Sequence, residues 1–314
     1  MNQTITVGVD TGKVQLDVHI RPLKLFFSVE NSEQGIQQAL KIIKLHQPDR
    51  IVIEATGRLE MPFILACVKA KQPIVRANPV HIKRFAGAIG RRVKNDKLDA
   101  ELIAHYGEAI QPALTSIKPN SLRLMSDLLA RRDQLLSMRT MEKNRIQILP
   151  TALHSTIRPV ITAINRQITK LEEKLASLID QCQEYREKST ILKTVPGIGD
   201  IAAASLISNL PELGYVTNKQ AASLVGVAPI TKESGDRKRR RITLGGRAQV
   251  RTVLYMAMMS AMQCNPVFKE FYTRLVDAGK PKKVAIIACV RKMVVILNSM
   301  LKYGTMWQED RIRT

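Results

Sequence analysis

The sequence predicts an α/β domain at the N-terminus, followed by a long charged helical segment and a mostly α-helical C-terminal domain. Three observations carry this. The first hundred or so residues run as β-branched strands and then as alternating helix and strand. Residues beyond Leu122 lose the strand pattern and take a helical apolar repeat. The chain has 314 residues, long enough for two hydrophobic cores. The boundaries read from these changes of texture are 1–112, 113–189 and 190–314.

In the first segment, TITVGVDT is a β-branched run ending in Asp10. VQLDVHI alternates apolar and polar as a half-buried strand does, and LKLFFSVE is a third strand, giving a meander. SEQGIQQALKIIKLHQ has helical spacing with Ser32 as N-cap. RIVIEATG is a buried strand ending in Glu54, followed by a helix over about 59–70, a short strand PIVRAN, and a helix opening at Pro79. Strands followed by helix–strand alternation predict a mixed sheet.

In the second segment Ile157, Ile161, Ile164, Ile168, Leu171, Leu175 and Leu178 recur at spacings of four and three, a heptad seam. Pro150 and Pro159 mark the break from the preceding helix. An intramolecular hairpin and a coiled coil joining protomers both fit this seam. In the third segment VPGIGDIAAASLI resembles a helix-hairpin-helix turn, in which Gly197 and Gly199 expose backbone N–H groups at a helix N-terminus, where a phosphate can sit.

Forty-nine Lys and Arg against 27 Asp and Glu leave a formal charge of +22. Such a surplus repels itself until a polyanion offsets it, and nucleic acid is the expected one. An anionic membrane is the competing partner. No run of about eighteen apolar residues and no secretory signal are evident, so a cytoplasmic protein without a membrane span is expected. The four cysteines are far apart, with no C-x-x-C pair, and the histidines are scattered. A disulfide framework and a zinc site are therefore disfavoured, and any metal must be held by carboxylates.

The carboxylates that qualify are Asp10 and Glu54 at strand ends, with Asp96 and Asp99 three apart on one face of the helix KNDKLDAELIAHY. If the two strands are neighbours, Asp10 and Glu54 project from one edge, and a helix packed there can bring the other two to meet them. Four converging carboxylates repel unless a cation sits among them. Oxygen ligands select Mg²⁺ or Mn²⁺, which suit phosphodiester chemistry. The acids end a cationic stretch containing Arg91, Arg92 and Lys94, as metal ligands beside a nucleic-acid groove would. A run of five basic residues, Arg237, Lys238, Arg239, Arg240 and Arg241, follows Ser234 and Gly235. Such charges fix phosphates and read no bases.

VGVDTGK, IEATG and KNDKLDA, followed in order by VPGIG, LVGVAPITKESG and VRTVLYMAM, resemble the DEDD transposases of bacterial insertion sequences over nearly the whole chain. The resemblance implies an RNase H-like N-terminal domain related to the Holliday-junction resolvase RuvC, then a coiled coil, then a transposase domain. It implies a recombinase with a Mg²⁺-binding Asp10, Glu54, Asp96, Asp99 tetrad, and a catalytic serine at Ser234 that becomes covalently linked to DNA. It also implies donor and target DNA, a structured noncoding guide RNA, and homodimers that pair into tetramers. Arg247 and Arg251, in the stretch RRRITLGGRAQVR, join the expected nucleic-acid contacts. Two other readings stay open: a RuvC-like nuclease that cuts with a metal-bound water and never uses Ser234, and a non-catalytic nucleic-acid-binding architectural protein.

Overall fold

The computed structural model describes residues 4–90, 96–116, 118–230, 233–234, 237–238 and 242–309; the side chains of Asp96, Lys97 and residues 230–241 lie outside what is described. The chain divides into two compact units, Met1–Ile117 and Lys118–Thr314.

The first unit is a three-layer α/β structure. Strands β1 (Thr6–Thr11), β2 (Gln15–Arg21) and β3 (Leu25–Glu30) form the meander, and α1 (Glu33–Leu45) follows. The Ser32 side chain caps α1 by accepting from the Gly35 N–H at 3.3 Å. Next come β4 (Arg50–Glu54), α2 (Met61–Lys69), β5 (Ile74–Ala77), α3 (Pro79–Ala88) and α4 (Asp96–Ile110). The sheet is mixed, as expected, with strand order β3-β2-β1-β4-β5. β1 pairs antiparallel with β2 and parallel with β4.

Side-chain alternation along the strands sorts the two faces. Val7, Val9, Leu16, Val18, Ile20, Ile51 and Ile53 are buried on one face with Ile36, Leu40 and Ile43 of α1 and with Phe63 and Ile64 of α2. Val52, Val75 and Ala77 are buried on the other with Leu102, Ile103 and Tyr106 of α4. α4 comes unusually close to the sheet. A Cβ on Gly8 would lie 2.2 Å from the Ala100 carbonyl oxygen and 2.3 Å from the Ala104 nitrogen. On the helix side, a Cβ on Gly107 would lie 2.6 Å from a Val52 methyl and 2.7 Å from the Thr6 methyl. Glycine on both surfaces lets backbone rest on backbone.

The turn that leaves β4 is fastened from beneath by Glu60, whose side chain is fully buried. Its Oε2 accepts from the N–H groups of Thr56 (3.2 Å) and Arg58 (2.8 Å), and from the Thr56 hydroxyl (3.3 Å). Its Oε1 accepts from Nε (2.9 Å) and Nη2 (2.7 Å) of Arg76 on the adjacent strand β5. Burial by itself pushes this carboxyl upward, but the backbone donors and the Arg76 guanidinium outweigh it and hold Glu60 below its ordinary 4.5.

The second unit is mainly helical. α5 (Asn120–Ile148) and α6 (His154–Asp180) lie antiparallel, joined through Pro150 and a 3₁₀ turn (Thr151–Leu153). Leu135 packs with Ile164 and Ile168, Arg132 pairs with Glu172 at 2.7 Å, and Arg139 donates to Asn165 at 3.1 Å. The seam thus closes within one chain. Pro159 does not end a helix as expected but lies inside α6. It comes near the helix start, and the carbonyl it leaves without a donor belongs to exposed Ser155, where water can serve.

After these come α7 (Gln183–Lys193), α8 (Asp200–Asn209) and α9 (Asn218–Val225). Four short strands follow, β6 (Pro229–Ile230), β7 (Glu233–Ser234), β8 (Arg237–Lys238) and β9 (Ile242–Thr243). α10 (Ala248–Cys264), α11 (Pro266–Asp277) and α12 (Lys282–Tyr303) end the chain. Leu122, Met125 and Leu129 of α5 share one core with α8, α10 and α12, so the long helices belong to this unit. α12 holds no unbroken run of eighteen apolar residues, since Arg291 and Lys292 interrupt it, but by length and mean hydropathy it could cross a membrane. Half of its apolar window is nevertheless buried within the protein, with Cys289, Val290, Met293 and Leu297 in the core.

Two stability experiments follow from the first unit. Gly8→Ala must push α4 off the sheet against backbone atoms, costing about 2 kcal/mol as overpacking does, and is expected to lower the melting temperature clearly. Glu60→Gln is expected to destabilise by about 2 kcal/mol at neutral pH, since it leaves Arg76 without its carboxylate. Because the folded carboxyl lies below 4.5, the wild-type advantage is complete above that pH and is lost as the pH falls through the folded value. Parallel melts of wild type and Glu60→Gln should therefore converge in acid; a gap that stayed constant would refute the ion-pair account.

Candidate active site

Asp10 and Glu54 are brought together by register. In the parallel pair of β1 and β4, Val9 lies beside Ile53. The next residues along both strands, Asp10 and Glu54, therefore end neighbouring strands at the same edge of the sheet. Val9 and Ile53 face α1 and α2, so by alternation Asp10 and Glu54 fall on the face that α4 covers. α4 presents the Ala100 carbonyl to Gly8, two residues before Asp10 on that same face, and Asp99 immediately precedes Ala100. Asp10, Glu54 and Asp99 are all half-buried. Asp10 Oδ1 accepts from the Thr11 N–H at 2.9 Å.

Asp96 opens α4, and its side chain lies outside what is described. Among the described residues, no three His, Cys, Asp or Glu side chains form a group that could hold a metal ion. The structure thus ends Asp10 and Glu54 on one face of one edge and brings the backbone of α4, with Asp99 one residue before Ala100, onto that face, without closing the acids into a cation site. The donor set, oxygen only, fits a hard divalent cation.

A further acid belongs to this face and was not anticipated from sequence. Asp17 on β2 stands directly opposite Asp10 in the antiparallel register. It is 6% exposed, and its Oδ1 accepts from Gln15 Nε2 (2.7 Å) and the Ser28 hydroxyl (2.5 Å). Like charges directly opposite across strands repel; hydrogen bonding to the carboxylate offsets part of that cost. The available signal was the short turn, which sets Asp10 and Asp17 at equal distances from its centre.

The second unit holds the basic run. Ser234 lies in β7 opposite Arg237 of β8, and the β6–β9 pair flanks that hairpin in sequence. Arg239, Arg240 and Arg241 lie outside the described residues, as do Arg91, Arg92 and Lys94 of the first unit. Where the two legs of the β6–β9 segment meet, a Cβ on Gly246 would lie 2.2 Å from the Gly226 nitrogen. Arg251 Nη1 ties the legs together by donating to the carbonyls of Val225 (3.1 Å) and Gly245 (2.7 Å). Arg247 donates to both Glu212 oxygens at 2.6 Å and to the Asn209 carbonyl at 2.9 Å. Arg247's hydrogen bonds hold the Glu212 carboxyl below its usual range. Both guanidiniums, expected to contact nucleic acid, are thus engaged within the protein.

The VPGIG turn is placed differently from a simple phosphate cradle. Gly197 has φ +96, and a Cβ there would lie 2.7 Å from the Ala257 carbonyl oxygen and from the Ala261 Cβ, so this glycine serves close packing on α10. Gly199 is exposed and is the N-cap of α8, with open space where a Cβ would be. The first turn of α8 already carries Asp200, which pairs with Lys193 at 2.5 Å. An internal carboxylate thus meets the helix N-terminus, the position a phosphate would take.

Comparisons with known proteins bear on both units. A transposase family model of the IS110 DEDD type matches residues 7–154. A second, Transposase IS116/IS110/IS902 family, matches residues 189–273. The chain is 28% identical over 280 residues to the pilin gene-inverting protein of Moraxella bovis, covering 87% of each, and equally similar to its counterpart from Moraxella lacunata. It is 27% identical over 150 residues to an uncharacterised 43.6 kDa protein of insertion element IS110 from Streptomyces coelicolor, covering 47% of this chain and 36% of that one. Among solved structures, T. thermophilus RuvC in complex with a Holliday junction substrate aligns with 37% of this chain and all of its own, at 16% identity and a TM-score of 0.29. With both family models matched in chain order, one over the carboxylate unit and one over the segment containing Ser234, the chain belongs to the IS110-type DEDD transposase family of insertion sequences.

Proposed function

We propose that this transposase holds a catalytic metal ion at the carboxylate edge of its first unit, and that it cuts and rejoins DNA through Ser234 of its second. The observation that carries the first half is the register of β1 with β4 together with the glycine seat of α4. They support a site in which Asp10 and Glu54, ending neighbouring strands, are met by Asp99 of the helix seated on Gly8. Asp96, which opens the same helix, completes the proposed tetrad. A Mg²⁺ or Mn²⁺ ion held by these oxygens would polarise the phosphodiester and stabilise the charge that develops on the departing oxygen. The residues' own task is to hold that geometry and keep the edge anionic within a strongly basic protein.

Ser234 is supported by its place in a short hairpin opposite Arg237, at the head of the basic run and inside the second matched segment. In the proposed step its Oγ attacks phosphorus and an Oγ–P bond forms. One P–O bond to deoxyribose breaks, and the freed sugar hydroxyl takes the proton. Reversal of the step reseals the strand with no high-energy cofactor. A carboxylate nuclease of the RuvC kind requires no serine, so the two chemistries leave different products. Nucleic acid as partner follows from the +22 charge. The guide RNA and the paired-dimer assembly rest on the family resemblance alone.

Asp10→Asn and Asp99→Asn are expected to retain DNA binding and to lose cleavage roughly a hundredfold or more, about 2.7 kcal/mol of barrier. Cleavage at the wild-type rate in either variant would remove the carboxylate site. For Ser234, labelled DNA is run on a denaturing gel after reaction with wild type and Ser234→Ala. A slow, protease-sensitive band from wild type alone supports the covalent step. Free phosphate and hydroxyl ends from both proteins would mean hydrolysis by water, with Ser234 reduced to a hairpin residue.

A further inference from the structure

Segment 227–245, which carries Ser234, leaves the core of the second unit and returns to it through one narrow crossing. Its entry leg is fixed, because Val225 and Val227 are buried in the core at the end of α9. Its exit leg is not, since residues 242–246 are exposed. Between the legs runs a ribbon of two-residue strands. Pro229 stands opposite Thr243 and Ile230 opposite Ile242, then Glu233 opposite Lys238 and Ser234 opposite Arg237. A two-stranded ribbon is marginal by itself. Ile242 and Leu244 are both exposed, so apolar packing of the exit leg does not orient it.

The direction of the ribbon is therefore set where its legs cross. Gly226 and Gly246 meet there backbone to backbone. A Cβ on Gly246 would lie 2.2 Å from the Gly226 nitrogen, and one on Gly226 would lie 2.2 Å from the Gly245 carbonyl oxygen. Arg251 of α10 closes the crossing. Its Nη1 donates to the Val225 carbonyl of the buried leg and to the Gly245 carbonyl of the exposed leg. Just beyond, the Arg247 N–H donates to the Leu224 carbonyl at 2.7 Å. α10 is itself seated in the core by Val250 and Leu254, both fully buried. One guanidinium thus ties the exposed leg to two elements of the core.

We infer that Arg251 is a positioning residue for Ser234: it clamps the base of the ribbon and so aims its far end. This inference rests on the proposed serine step. An error of direction at the crossing grows along the ribbon, and Ser234 belongs to the pair farthest from it. Attack on phosphorus needs the reacting atoms aligned within about 3.5 Å, and a misplacement of about 1 Å costs roughly a hundredfold in rate. Two hydrogen bonds at a half-exposed site, by contrast, contribute little to the stability of the whole unit. In this role Arg251 acts through the backbone and binds no phosphate.

The test uses full-length wild type, Arg251→Met, Gly246→Ala and Ser234→Ala. Arg251→Met removes the donors and keeps a long side chain, whereas Gly246→Ala forces the legs apart and changes no charge. Each protein is melted, titrated with a fluorescein-labelled duplex across a salt series, and followed for protease-sensitive adduct in a single turnover at saturating DNA. Trypsin cutting within 237–241 is timed without DNA. Arg251→Met is expected to melt within about 2 °C of wild type and to keep its affinity and salt slope. Its adduct should form roughly thirtyfold more slowly, and trypsin should cut it faster. Gly246→Ala should give the same slow adduct at unchanged affinity. Adduct at the wild-type rate in Arg251→Met would overturn the proposal. So would weaker binding with a salt slope shallower by about one, the mark of a phosphate contact. A large fall in melting temperature, with binding and adduct lost together, would mark a purely structural residue and overturn it too. The parent reading fails separately: wild-type adduct from Ser234→Ala would remove the serine, while the trypsin comparison would still report whether Arg251 holds the ribbon.

Discussion

The near-contact of α4 with β1 at Gly8 is the constraint from which the geometry of the first unit follows. A helix normally rides on a sheet at the distance that side chains allow. Here the Ala100 carbonyl lies where a Gly8 side chain would be, and Gly107 lets the other end of the helix settle on Val52 and Thr6. The helix is therefore located by backbone contact, which is less deformable than contact through flexible side chains. Asp99, one residue before Ala100, inherits that location, as does the start of the helix at Asp96.

Glu60 does for the end of β4 what Gly8 does for α4. A buried carboxylate is costly unless it is fully hydrogen-bonded, and Glu60 is bonded on both oxygens. Its donors are the turn that follows Glu54 and the strand beside it. Burial of this ion pair thus contributes more to defining one conformation of the turn than to overall stability, because desolvation cancels much of the Coulombic attraction. In the second unit Arg251 has a comparable task, bridging two carbonyls where the two legs of the β6–β9 segment cross. In both units a buried or half-buried charge serves backbone placement.

This distribution of charge explains why net charge and local role diverge. The +22 surplus predicts a polyanionic partner, but it does not say which cations meet it. Arg247 and Arg76 are basic residues engaged with Glu212 and Glu60 inside their own units. Asp200 at the start of α8 occupies a helix terminus that could otherwise take phosphate. Such assignments depend on which carboxylate or carbonyl lies across the packed interface, and that is a matter of distance in space.

Much of the architecture was legible in the sequence because it is written in local periodicity. The β-branched and apolar runs gave β1 and β4, alternation gave β2, the helical spacing gave α1 and α6, and the strand ends gave Asp10 and Glu54 as edge acids. The four-and-three repeat of isoleucine and leucine was also legible, but its partner was not: only tertiary packing showed the seam closing on α5 of the same chain. The place of Asp17 opposite Asp10 was invisible because a single strand's alternation does not say which acid stands opposite. The cross-strand register supplied that. Glu60 read as an ordinary residue opening a helix, since nothing in its neighbours along the chain announces an arginine sixteen positions later on an adjacent strand. Periodicity records which face of an element is apolar. Register, close approach of backbones and buried ion pairs join residues distant in sequence, and only the folded chain decides them.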